Sequence, residues 1–152
     1  MALMTKQRLI QQREGKLPGS RKVLIVEDYE DIANIYSFIL QKSGYDVQIA
    51  KDGKDALEKV LEFQPDAILL DIMIPYIDGI EVLKAIRTRP EYKDVQPRVL
   101  ITSNVLQQDI SDQAALHGAD GYVVKANITN QDLATIVDEL FAKEKKTDTP
   151  DA

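Results

Sequence analysis

Between Val23 and Val124 five short runs rich in β-branched and aliphatic residues recur, and each is followed by a stretch whose apolar residues fall at helical spacing. The runs are residues 23–26, 47–50, 67–70, 98–101 and 121–124. Because they are continuously apolar and not alternating, they describe strands covered on both faces; strands that take turns with helices pair in parallel. The first helical stretch carries Ile32, Ile35, Tyr36, Ile39 and Leu40 on one stripe and stops at Gly44. The second carries Leu57, Val60 and Leu61 and closes at Pro65; the third follows Pro75 and Gly79 with Val82, Leu83 and Ile86. The fourth, roughly residues 107 to 117, has the weakest apolar face. The last opens at Thr129-x-x-Asp132, the pattern of a capping box, and carries Leu133, Ile136, Val137, Leu140 and Phe141.

The expected fold is therefore α/β: a doubly wound five-stranded parallel sheet in the flavodoxin-like order 2-1-3-4-5, with helices on both faces. In such sheets ligands bind beyond the carboxyl ends of the strands, where the order reverses, here between strands 1 and 3. Leu17-Pro18-Gly19-Ser20 marks a boundary. It divides the chain into a basic, flexible extension (1–20), a folded part (21–142) and a charged tail (143–152).

At 152 residues the chain is long enough to bury one core. It contains no cysteine, so disulfides, thiolate nucleophiles and Cys-held metals are excluded. No apolar run approaches the ~20 residues of a membrane span, and the first residues lack a secretory signal, so a cytoplasmic location is expected. Residues 1–22 hold six cations against Glu14, and the tail is balanced, which leaves a net −11 on residues 23–142. Such a body is unsuited to nucleic acid and suited to a cation.

At the carboxyl ends of strands 1 and 3 stand Glu27-Asp28 and Asp71. Carboxylates about 5 Å apart at an effective dielectric of about 20 repel by roughly 3 kcal/mol, a strain that a bound divalent cation relieves. Oxygen-only ligands select a hard ion, Mg²⁺ before Ca²⁺. Strand 4 ends in Thr102-Ser103 and strand 5 in Lys125, which bring a hydroxyl and an ammonium to the same rim. A cation, a carboxylate acceptor, a hydroxyl and a lysine together make a phosphoryl site. Asp71 is the expected nucleophile, since the adjacent pair suits metal binding.

At this point the sequence resembles the response regulator receiver family. The resemblance rests on Glu27-Asp28, the segment from Leu70-Asp71 through Pro75 to Asp78-Gly79, Ile101-Thr102-Ser103, and Gly118-Ala119-Asp120-Gly121-Tyr122-Val123-Val124-Lys125. Gaps of 43, 31 and 23 residues separate Asp28, Asp71, Thr102 and Lys125. The resemblance implies a phosphoacceptor at Asp71, and Mg²⁺, with Mn²⁺ as an alternative, on Glu27, Asp28, Asp71 and the backbone carbonyl of Met73. It implies Thr102 and Lys125 on the phosphoryl group, and Thr102 and Tyr122 as the switch. The implied partners are a sensor histidine kinase or histidine phosphotransfer protein and a downstream protein on the face of helix 4, strand 5 and helix 5.

One feature departs from the family. Ala126 stands where a cis-proline usually follows the lysine, which leaves the placement of the Lys125 ammonium open. Met73 offers no group to orient an attacking water, which points to a long-lived phosphoryl state. His117 is expected to close helix 4, where a cation suits the helix C-terminus. Among rivals, a haloacid dehalogenase needs a second Asp where Met73 stands, and a flavodoxin-type phosphate loop is contradicted by Glu27-Asp28. A P-loop is missing. The remaining alternative is a receiver-like interaction module that no longer needs phosphorylation.

Overall fold

A computed structural model describes residues 21–104 and 106–143; the expectations for the basic extension and the charged tail fall outside them, apart from Lys143. The strands are β1 (Lys22–Val26), β2 (Asp46–Ala50), β3 (Ala67–Asp71), β4 (Arg98–Ser103) and β5 (Gly121–Val124). The helices are α1 (Glu30–Lys42), α2 (Gly53–Phe63), α3 (Gly79–Thr88), α4 (Gln108–Leu116) and α5 (Asn130–Ala142). All strands pair in parallel, in the order β2-β1-β3-β4-β5. This is the expected sheet. Among the described residues no helix is long and apolar enough to cross a membrane.

The central strands β1, β3 and β4 are largely apolar because their alternate residues enter two cores, whereas the edge strand β2 exposes Asp46 and Gln48. Val23, Ile25, Leu69 and Leu100 meet Ala33 and Leu40 of α1 and Leu133, Val137 and Leu140 of α5. Leu24, Val26, Ile68, Leu70 and Ile101 meet Val60 of α2 and Val82, Leu83 and Ile86 of α3. Each fully buried aliphatic chain contributes roughly 1.5–3 kcal/mol relative to exposure. By that measure α4 is held least, since Ala114 is the one residue it buries.

Two apolar faces differ from expectation. The deepest residues of α1 are Ala33, Ser37 and Leu40, whereas Ile35 is 47% exposed. Small side chains let the helix backbone lie close to the sheet, which displaces the larger ones to its flanks. In α2 the buried set is Gly53, Ala56, Leu57, Val60 and Phe63, and Leu61 faces solvent. The capping box of α5 is present, with the Thr129 hydroxyl accepting from the Asp132 N–H and the Asp132 carboxylate from the Thr129 N–H. His117 closes α4, as expected.

Candidate functional site

Strand register brings the site residues together. Asp71 pairs with Thr102 across β3 and β4, and the Ile72 N–H donates to the Thr102 carbonyl at 3.2 Å. Val26 pairs with Leu70, so Glu27, the next residue, stands beside Asp71. Ser103 pairs with Val124, which delivers Lys125 just past the end of β5. The strands run further than the apolar runs suggested, because ladder pairing continues into Asp71, Thr102 and Ser103.

Glu27, Asp71, Thr102 and Ser103 are buried, whereas Asp28 is exposed at the rim. One carboxylate oxygen from each of Glu27, Asp28 and Asp71 lies within 4.8 Å of the others. The Lys125 ammonium donates to Glu27 Oε1 at 2.5 Å and to Asp71 Oδ2 at 2.9 Å. Backbone amides complete the carboxylates: the Met73 N–H donates to Asp71 Oδ1 at 3.1 Å and the Tyr29 N–H to Glu27 Oε2 at 3.2 Å. The Lys125–Ala126 bond is trans, and the ammonium reaches both acids all the same.

Gly79 explains how α3 can start so close to this point. A Cβ there would stand 2.5 Å from the Asp71 carbonyl oxygen and 2.8 Å from Ile72 Cα, so only glycine fits. Asp78 caps the helix by accepting from the Glu81 N–H at 3.0 Å.

Burial pushes the Glu27 carboxyl above its ordinary range and the Asp71 charge adds to this, against the opposing hydrogen bond and charge of Lys125. For Lys125, burial disfavours the ammonium, but its hydrogen bonds and attraction to Glu27 and Asp71 prevail and raise its pKa. The hydroxyl of Tyr36 on α1 is raised as well, by burial first, while it feels Lys125, Glu27 and Asp71 together. With Asn104, Ile32 and Ile35 it lines an open pocket of about 360 Å³ that reaches Lys125.

The structure thus gathers Glu27, Asp28, Asp71, Thr102 and Lys125 at one rim, with Met73 exposed beside them. Tyr122 packs half-buried against the second of the two cores described, one strand away. Sequence reasoning left the relief of carboxylate repulsion to a metal alone; Lys125 supplies part of it. It also missed the Tyr29 and Met73 amides, whose only sequence signal is a position two residues after an acid. Three carboxylates against one ammonium leave an excess of two negative charges, which fits a hard divalent cation with oxygen ligands.

The sequence model of the response regulator receiver domain matches residues 23–138. The chain belongs to this family. Solved structures similar to this receiver include the chemotaxis response regulator CheY4 of Vibrio cholerae, at 30% identity and TM-score 0.70, with 78% of this chain and 97% of that one covered. A second is the receiver domain of the Francisella response regulator 1452, at 29% identity and TM-score 0.71, covering 81% and 98%. A third is the signal receiver domain of a response regulator from Bermanella marisrubri, at 30% identity and TM-score 0.72, covering 80% and 98%.

Proposed function

We propose that this receiver is a cytoplasmic phosphorylation switch of a two-component or phosphorelay system, with Asp71 as its phosphoacceptor. The observation that carries the reading is the Lys125 ammonium joining Glu27 and Asp71 at the ends of three separate strands. A carboxylate oxygen of Asp71 forms a bond to phosphorus as the donor's P–N bond breaks, and the electron pair leaves with the imidazole of a histidine kinase or phosphotransfer protein. Mg²⁺, or Mn²⁺ in its place, held by Glu27, Asp28, Asp71 and the Met73 carbonyl, supplies charge neutralisation at the phosphoryl oxygens when bound. Lys125 neutralises a further phosphoryl charge, and the Thr102 hydroxyl donates to a phosphoryl oxygen. The Met73 side chain, a thioether, has no strong group with which to orient water for hydrolysis, in keeping with a slow loss of phosphate.

Output follows from Thr102 moving toward the phosphoryl group, which makes room for the Tyr122 ring and shifts the face of α4, β5 and α5 toward a downstream protein. That α4 buries only Ala114 supports it as the element that moves. The test is phosphate uptake from acetyl phosphate, expected only with Mg²⁺ and abolished in Asp71→Asn. Undiminished uptake in that variant overturns the site; no uptake by the wild type selects the phosphorylation-independent interaction module.

A further inference from the structure

Arg87, in the last turn of α3, directs its whole guanidinium at other elements. Nε and Nη2 donate to the Gly118 carbonyl at 3.1 and 3.0 Å, Nη1 donates to Gln96 Oε1 at 3.0 Å, and Nη2 stands 3.4 Å from Asp120 Oδ2. Asp120 is itself fixed to β4: its Oδ2 accepts from the Val99 N–H at 2.8 Å, and its own N–H donates to the Val99 carbonyl at 2.8 Å. Gly118 has φ +95°, and a Cβ there would meet the Arg87 side chain at 3.0 Å. The turn from α4 into β5 is therefore clasped between α3 and β4.

The other end of α4 is built differently. Gln107 offers no side-chain cap, residues 106–109 are exposed, and Leu106 leaves 63% of its surface in solvent. One end of the helix is pinned by a charge-assisted network, while nothing comparable holds the other among the described residues.

We propose that Arg87 makes the α4–β5 turn the fixed pivot of the switch, so that a change at Thr102 and Tyr122 swings the N-terminal half of α4 while residues 116–120 stay on α3. The proposal rests on the receiver chemistry above for what drives the motion, but not for the pivot itself. A lysine cannot replace the guanidinium here, because one ammonium cannot serve Gly118, Asp120 and Gln96 as a planar fork does. Arg87 is a positioning residue and touches none of the reacting atoms.

The experiment is amide hydrogen exchange on the full chain, at rest and with beryllofluoride and Mg²⁺. In the wild type, exchange changes at residues 106–112 and stays constant at 116–120. In Arg87→Lys, resting exchange at 116–120 rises about tenfold, the effect of losing one charge-assisted hydrogen bond, and the beryllofluoride response spreads into that segment. Asp52→Ala, which removes the N-cap of α2 and touches neither Arg87 nor α4, controls for general loss of stability and leaves the wild-type pattern. The pivot is overturned if residues 116–120 of the wild type respond as strongly as 106–112, or if Arg87→Lys leaves their resting exchange unchanged. A wild type that takes up no beryllofluoride defeats the receiver chemistry instead; the resting exchange of Arg87→Lys then decides the pivot alone.

Discussion

The Lys125 ammonium stands 2.5 Å from Oε1 of Glu27, a residue 98 positions earlier in the chain, and holds a buried carboxylate whose other partner among the described residues is the Tyr29 amide. Two charges buried together stabilise little net, but removing one strands the other, which typically costs 3–5 kcal/mol.

Lys125→Met should thus destabilise the metal-free protein by about 3–5 kcal/mol, because Glu27 and Asp71 both lose their cation. Added Mg²⁺ should restore much of the loss. Urea unfolding with and without Mg²⁺ measures both effects; a variant as stable as the wild type without metal contradicts the role given to this ion pair.

Asp28 is exposed, and Lys125 bonds Glu27 and Asp71 and not Asp28, so its charge is available to a cation. Attraction to a divalent ion about 4 Å away in a water-like dielectric is roughly 2 kcal/mol, so Asp28→Ala should weaken Mg²⁺ binding about thirtyfold. Metal-free stability should stay within about 0.5 kcal/mol, as for other surface changes. Tyrosine fluorescence during metal titration reports the affinity, and an unaltered affinity removes Asp28 from the ligand set.

Gly79→Ala sets two effects against each other. Alanine favours a helix over glycine by about 1 kcal/mol, but the new Cβ collides with backbone atoms of Asp71 and Ile72. Overpacking against immobile backbone costs about 1–3 kcal/mol or more, so the collision should win. Lower thermal stability together with slower phosphate uptake is expected, since the displaced residue is Asp71. A stabilised variant with normal uptake would show that the β3–α3 junction yields without consequence.

The Tyr45 hydroxyl donates to Asp138 and its ring stacks on Phe141, which joins the start of β2 to α5. Burial first, then the Asp138 hydrogen bond and charge, raise the Tyr45 pKa well above its ordinary 10.0. The folded state retains the proton that the unfolded chain releases near pH 10, so this stabilisation is complete below about pH 10 and declines as the pH rises beyond it. Lys125, also raised, adds to the same alkaline loss. Tyr45→Phe should cost about 1 kcal/mol at pH 7 and make the alkaline decline shallower. Urea midpoints from pH 7 to 11 test this; parallel curves for the two proteins would rule it out.

What the sequence determined by itself was whatever depends on local order. Strand after strand of continuous apolar residues, helices between them and acids, a hydroxyl and a lysine at the strand ends were enough for the parallel sheet, its order and the rim where Glu27, Asp71, Thr102 and Lys125 meet. The Thr129 capping box was legible because both partners lie within one turn. What only the tertiary structure decided were distances between distant elements. The face of α1 turned on how near its backbone lies to the sheet, which favoured Ala33 and Ser37 over Ile35. The pairing of Lys125 with Glu27 as well as Asp71, and the grip of Arg87 on Gly118, join residues 98 and 31 positions apart. Hydrophobic periodicity says that a segment has an apolar side; only packing and register say which residues lie deepest on it and which polar atoms they meet.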